Sequence, residues 1–270
     1  MPSKSTGKTI VKVKVNKKNV VITFNDRSKL DLSPEVMANF YIYEGKQINQ
    51  KEIKEIKEYS ENIALLRHGM SLIKKRHYSE WKMREKLYAQ EADKKAVDKV
   101  IKTLKNVDLI NDAALAEDLK CYLEEKNYGQ NKILNYLNNE GIFDDTLKGL
   151  RFPASNERKK ALANLPKLEK RYAKYPYEQK KQHIYNALIN LGFANEIAMD
   201  VLNKVKEPNQ KEENEKLDKD FPKVMNKYQR KYEGRELKEK VIASLRNKGY
   251  KMKDILRKLE KYYDQNDFGI

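Results

Sequence analysis

The side chains best suited to catalysis or metal binding are thinly spread in this sequence. Its histidines, His68, His77 and His183, are nowhere at i, i+4 from one another, and there is no His-Glu-x-x-His or paired-cysteine motif for zinc. The single cysteine, Cys121, has no histidine near it in sequence and falls beside an apolar stripe of Leu119, Tyr122 and Leu123, which makes it an inert, helix-borne thiol. The acidic pairs Asp108/Asp112 and Asp144/Asp145 stand at expected helix starts, where capping accounts for them. Ser5-Thr6-Gly7-Lys8-Thr9 looks like the end of a phosphate-binding loop, but Pro2 occupies the place of the required first glycine and no strand precedes it. The sequence therefore offers no catalytic residue, no cofactor site and no metal site, and an enzyme is not expected.

What the chain does carry is positive charge. Lysine and arginine number 57 against 40 aspartates and glutamates, a net of +17. Such an excess speeds encounters with negative fields and points to a polyanion or an acidic protein surface as partner. The candidate partner-binding residues are Lys74, Lys75 and Arg76 at the end of one helix, Lys82, Arg84 and Lys86 on the next, Lys126 and Lys132 farther on, and Arg158, Lys170 and Arg171 beyond them. A last basic group, Lys223, Lys227, Arg230, Lys231, Arg235, Lys238 and Lys240, lies towards the C-terminus, and many of the 17 tyrosines are mixed among these charges. The plainer reading is that a charge run on a helix is a solvated face and a tyrosine at helical spacing is the edge of a core.

These residues need helices to position them, and the sequence marks where the helices end. Leu137 leads to Gly141, Leu188 to Gly192 and Leu245 to Gly249, while Leu87 leads to Glu91 where a glycine would fall. The four leucines lie 50, 51 and 57 residues apart, and each is preceded four residues earlier by an apolar side chain: Met83, Ile133, Ile184 and Val241. An i, i+4 apolar pair marks a buried helix face, and glycine just past it takes the left-handed cap conformation at no steric cost. With 39% hydrophobic and 36% charged residues, the chain can cover one face of many helices but not fill a large spherical core. The expected fold is mainly α: an elongated tandem array of four three-helix repeats preceded by a small β-rich N-terminal module.

The expected divisions are a β-rich module over 1–48, a connecting helix over 49–61, and repeats over 62–108, 109–155, 156–207 and 208–270, the last with a short tail. In the module, Val11, Val13 and Val15 alternate with polar residues, Lys17-Lys18-Asn19 turns the chain into Val20–Phe24, and Lys29–Leu32 forms a third strand. Ser33-Pro34 opens a helix, and Tyr41–Tyr43 returns as a short strand. Asn49 and Glu52 make a capping box, and Ile63, Leu66, Met70 and Ile73 form the first apolar stripe after it. Pro166 and Pro222 either open or kink helices, and the charged stretch 206–216 is the expected joint. No apolar run suits a membrane span or secretory signal, so a cytoplasmic protein is expected, in agreement with the single cysteine.

The order of these signals resembles the RecX family of bacterial regulators of the RecA recombinase. The residues that carry the resemblance are Ala64-Leu65-Leu66 through Arg76, Tyr78-Ser79-Glu80-Trp81 with Leu87, Leu109-Ile110-Asn111-Asp112 through Leu115-Ala116, and Gly129, Ile133, Leu137 and Gly141-Ile142. The glycine-aromatic pairs Gly192-Phe193 and Gly249-Tyr250 agree. It departs from the family at Trp81, where a small or acidic residue is common, at Glu91, and at Pro166 and Pro222. The resemblance implies a non-enzymatic modulator lying in the groove of the RecA filament on single-stranded DNA. It would impede ATP hydrolysis, strand exchange and co-protease activity in recombinational repair and the SOS response. Arg76, Lys82 and Arg84, with Lys126 and Lys132, are the basic residues expected on the filament-facing side. A direct single- or double-strand DNA binder is the competing reading, a scaffold for an acidic protein is the third, and a monomer is expected because the array buries its own faces.

Overall fold

A computed structural model describes residues 7–17 and 19–267. The chain forms two compact units, the first built from the chain up to Glu117 together with Asn138–Leu147, the second from Asp118–Leu137 together with the chain from Lys148 onward.

The β-branched alternation near the start forms strands β1 (Lys8–Val15), β2 (Val20–Phe24) and β3 (Lys29–Leu32), and a two-residue β4 (Gln47–Ile48) completes an antiparallel sheet of order β3-β2-β1-β4. Ile10, Val20, Ile22, Phe24 and Leu32 bury one face, while Val11 and Val15 are exposed on the other, beyond an irregularity between Ile10 and Lys12 that resets the register. The valines thus mark the strand but not its buried side. Helix α1 (Pro34–Asn39) follows the Ser-Pro signal. Tyr41–Tyr43 does not return as a strand: Tyr41 turns into the left-handed region (φ 47°), and Gln47–Ile48 pairs with β1 instead. Gly7, Lys8 and Thr9 belong to the sheet region, where the Lys8 amine pairs with Asp26 at 2.6 Å; Ser5, Thr6 and the Lys18 of the hairpin turn lie outside the described residues.

Helix α2 (Gln50–Ile73) opens on the expected capping box, with the Glu52 amide donating to Asn49 Oδ1 (2.8 Å) and the Asn49 amide to Glu52 Oε2 (2.9 Å). It then runs unbroken through Ser60, so the connecting helix and the first helix of the following packet are one element. Its apolar face changes along its length. Ile53, Ile56, Tyr59 and Ile63 complete the core of the sheet; Leu65, Leu66, Leu72 and Ile73 pack with α3 (Glu80–Tyr88) and α4 (Lys94–Asn106). Of the expected stripe, Ile63, Leu66 and Ile73 pack against these cores and Met70 is exposed, while Leu65 and Gly69 are the buried positions between them. Gly69 is a close-approach point, since a Cβ there would stand 3.3 Å from Leu104 and 3.7 Å from Leu87.

Further helices follow in threes: α5 (Asp112–Glu125), α6 (Gln130–Asn139) and α7 (Asp144–Gly149); α8 (Ala154–Arg171), α9 (Tyr177–Asn190) and α10 (Asn195–Leu202); α11 (Gln210–Tyr228), α12 (Gly234–Asn247) and α13 (Met252–Asp267). The last two triplets each enclose a core, around Ile184, Leu188 and Phe193 and around Phe221, Val241 and Leu245. The boundary between the two units falls within α5–α7. All four landmark leucines and the apolar residues four before them are 0% exposed, each such side chain contributing about 1.5–3 kcal/mol on burial. Tyr122, expected on the buried face of α5, is half exposed, as is the Cys121 end of that turn. Pro166 and Pro222 lie inside α8 and α11, which continue past them. The stretch expected as a joint is largely helical: α10 ends at Leu202, and Asn209, three residues past Lys206, caps α11.

The same contact joins successive triplets three times. The amide that opens the second helix of one triplet donates to a carboxylate in the first turn of the next triplet: Glu80 to Asp112 (2.8 Å), Gln130 to Glu157 (2.9 Å) and Tyr177 to Glu213 (3.1 Å). The glycine turn that ends the next triplet's second helix packs on that same helix start, Gly141 on Ser79 and Trp81, Gly192 on Gly129 and Lys132, and Gly249 on Glu178 and Gln179. Orphan amides at a helix start require acceptors, and here they come from the following triplet.

Candidate partner-binding surfaces

In the first unit, the basic end of α2 and helix α3 carry six of the candidate residues. Lys74 and Lys75 are exposed beyond the last apolar turn, and Lys86 is exposed on α3; among the described residues these three make no ion pair. Arg76 bonds Glu140 at 2.7 Å and lies 4.5 Å over the Tyr78 ring. Lys82 lies 4.8 Å over Trp81 and reaches Glu85 at 3.4 Å. Arg84 does not face outward as expected: it bridges Glu80 (2.9 Å) and Asp98 (2.5 Å), tying α3 to α4.

That bridge belongs to a network in which Lys105 also meets Glu80 at 2.7 Å. Burial pushes the Glu80 carboxyl up, but Lys105 and Arg84 outweigh it and hold the group below the usual carboxylate range. Asp112, beside it, goes the other way: burial raises it, the bond from the Glu80 amide only partly offsets this, and the nearby Glu80 charge adds to the rise. The network serves packing, and its charges are spent within the unit.

In the second unit, Lys126 and Lys132 sit over tyrosines. The Lys126 amine is hydrogen-bonded to the Tyr122 hydroxyl and lies 4.0 Å from that ring's centre, and Lys132 lies 4.1 Å over Tyr128. The Tyr122 hydroxyl raises Lys126 above the ordinary lysine value, with smaller contributions from Tyr128 and Tyr136, so these residues form one local basic and aromatic patch. Arg158 is paired with Asp200 on an exposed surface at 3.0 Å. Lys170 and Arg171 end α8, exposed and without an ion pair among the described residues. Among the described residues Lys74, Lys75, Lys86, Lys170 and Arg171 thus have no ion pair, whereas Arg84 is engaged by two carboxylates.

Inspection of the sequence missed the regular seating of cations on aromatic rings. At least twelve such pairs occur among the described residues, where a typical protein has about one per 70–80 residues. Several join sequence neighbours or i, i+4 positions, as in Lys174/Tyr175, Lys227/Tyr228 and Tyr122/Lys126, so the signal was present as lysine next to tyrosine. Among the described residues no group of three or more His, Cys, Asp or Glu could hold a metal ion, and no helix is long and apolar enough to cross a membrane.

No family model matches the chain. Among curated proteins it is similar to the regulatory protein RecX of Listeria welshimeri, at 27% identity over 259 residues covering 94% of both chains. It is also similar to the regulatory protein RecX of Streptococcus pneumoniae, at 29% identity over 264 residues covering 94% of this chain and 99% of that one. Its fold is similar to a crystal structure of regulatory protein RecX, with a TM-score of 0.62 at 18% identity over 73% of this chain and 99% of that one.

Proposed function

With the chain's membership of the RecX family of regulatory proteins as premise, we propose that it is a non-enzymatic regulator of RecA. It binds RecA, or the filament RecA forms on single-stranded DNA, and mostly inhibits its ATP hydrolysis, strand exchange and co-protease activity in DNA repair and the SOS response. The observation that carries the reading is similarity to RecX proteins along 94% of the chain; the tie to RecA comes from the family resemblance. The exposed, unpaired cations Lys74, Lys75, Lys86, Lys170 and Arg171 are the proposed contacts. Each alone is weak in water, but contacts distributed over several packets bind a repeating polymer jointly, because the first raises the effective concentration of the rest.

The test is single-strand-dependent ATP hydrolysis by RecA with the purified protein added. Slowing at substoichiometric amounts is expected. No slowing at equimolar protein in low salt removes the proposal.

A further inference from the structure

Each joint between successive triplets has two halves. One is the start of a second helix; the other combines a first-turn carboxylate with the turn that ends the next triplet's second helix. The first triplet carries the second of these halves with no triplet before it, and the fourth carries the first with none after it.

The half in the first triplet has both its parts. Asp112, Glu157 and Glu213 are each followed four residues later by a buried apolar side chain, Ala116, Ala161 and Leu217, and Glu61 is followed in the same way by Leu65. Glu61 therefore holds the place of the joint carboxylates. The turn is there too, because Glu91 stands four residues after Leu87 in the left-handed conformation (φ 57°) that Gly141, Gly192 and Gly249 adopt at their joints. Glu61 and Glu91 line one cavity of about 440 Å³, with Leu65 and the small side chains Ala64, Ala92 and Ala96 beneath them. The counterparts of Glu61 each accept from a helix-opening amide, whereas among the described residues Glu61 accepts none, and neither it nor Glu91 has an ion pair.

The half in the fourth triplet is bare. The residues just ahead of the joined second helices, Ser79, Gly129 and Pro176, are buried, but Glu233, Gly234 and Arg235 at the start of α12 are exposed. Glu233 makes no side-chain cap bond, so the opening amides of this 14-residue helix lack the acceptor that a following triplet supplies elsewhere. The two bare halves also match in charge and shape. Arg235 is 93% exposed and pairs only with Glu239 of its own helix, at 2.9 Å, while the cavity is rimmed by Glu61, Glu91 and Asp93. Lys94 and Lys95, exposed in the first turn of α4, offer partners for the exposed Glu233 and Glu236. At Gly192 a side chain would overlap the docked helix start. Glu91 brings a side chain to that place, and α12 brings Gly234, where an added Cβ would meet nothing within 4 Å, so the room lies on the other side of the contact.

We propose that the start of α12 in one copy docks into the Glu61–Glu91 cavity of a second copy, with Glu61 accepting from an opening amide of α12 and Arg235 lying against Glu91 and Asp93. Such a contact is head to tail and uses different surfaces on the two copies. The array buries its own faces, which is the ground for expecting a monomer, but not its two ends. Self-docking goes beyond the regulator reading, because it needs no RecA.

The test is sedimentation velocity of the full-length protein alone, over a range of concentrations and without nucleic acid. Wild type is expected to gain mass with concentration. E61R and R235E, both at exposed positions, should each weaken association at least about tenfold by setting like charges against one another. The control E196R makes the same charge change at an exposed position of α10 and should alter association by less than about twofold, since it touches neither half. Cysteines decide the direction. With Cys121→Ser in both, a mixture of E61C and R235C proteins under oxidised glutathione should cross-link at least about tenfold faster than either protein alone, because the joint raises the effective concentration of that one thiol pair. A mass fixed at one copy up to the solubility limit, equal losses in E196R and the two site variants, or cross-linking of one variant alone as fast as the mixture would each overturn the proposal. None of these outcomes bears on the ATP hydrolysis test, so the regulator reading stands or falls separately.

Discussion

The joints at Gly141 and at Gly192 solve one problem with different materials. In both, the start of a second helix meets the glycine turn of the next triplet, and a carboxylate from that triplet bonds the opening amide. At Gly141 the rest is done by side chains: the Ser79 hydroxyl donates to the Glu140 carbonyl at 2.5 Å, and Trp81 covers the glycine. At Gly192 it is done by backbone: the Gly129 amide donates to the Leu191 carbonyl (2.8 Å) and the Asn131 amide to the Gly192 carbonyl (3.0 Å). The carboxylates differ likewise. Asp112 is half buried, whereas Glu157 is 3% exposed and held by Lys160 at 2.5 Å. A joint of side chains can yield by a rotamer change, but a joint of backbone atoms leaves nothing free to move.

The substitution that should separate the two most sharply is G192A. Its φ is +92°, and an added Cβ would overlap the Lys132 backbone and stand 2.9 Å from the Gly129 carbonyl. Left-handed strain and overpacking together should cost about 3–5 kcal/mol, read as a lower urea midpoint. G141A, at φ +81°, crowds the Trp81 ring (2.7 Å) and its Cβ (2.9 Å) rather than backbone; the ring can turn away but the Cβ cannot, so left-handed strain with a smaller overpacking share should cost about 2–3 kcal/mol. Trp81 is the only tryptophan and half exposed, so its emission should report the displacement directly, and W81A made first should render G141A cheaper. If G141A proved as damaging as G192A, the contrast between the joints would fail.

The smallest effect is expected at D112N. Burial raises the folded value of Asp112 above its unfolded one, so the folded state binds the proton more tightly. Its contribution to stability is then best where the group is neutral and declines as pH climbs through the window from the ordinary carboxylate value to the raised one. Asparagine retains the oxygen that accepts from Glu80. The variant should therefore match or slightly exceed wild type in urea midpoint at neutral pH and lose that acid-range slope. A clear drop at neutral pH would mean that the charge itself secures this joint.

Much of the fold could be read from residue order, because its punctuation is local. Leu137, Leu188 and Leu245 with the glycines after them state where second helices end, and each glycine has positive φ. Even Glu91, read as standing in a glycine's place, takes the left-handed conformation at φ 57°. Asn49 announced a helix start for the same reason, since its bond reaches only three residues. The start of α6 after Gly129 was legible from its glycine, but the partners that hold the opening amides were not: Gln130 and Tyr177 rely on Glu157 and Glu213, 27 and 36 residues away. The α2 stripe held at Ile63, Leu66 and Ile73 and failed at Met70, because one helix serves two cores, and Gly69 is buried through what presses on it. Among the candidate surface residues, Arg84 looked no different in sequence from Lys86; only the fold brings Asp98 against it.

Helix α2 has a further consequence for how the first unit assembles. A rod of 24 residues is about 36 Å long, and its first half closes the sheet while its second half closes the packet of α3 and α4. Neither closure is complete while the other half of the rod is frayed, and unwinding propagates along a helix from whichever end is released. The sheet and the first packet should therefore melt in one transition, and truncating the sheet should loosen amide protons as far along as Gly69, well outside the deleted segment.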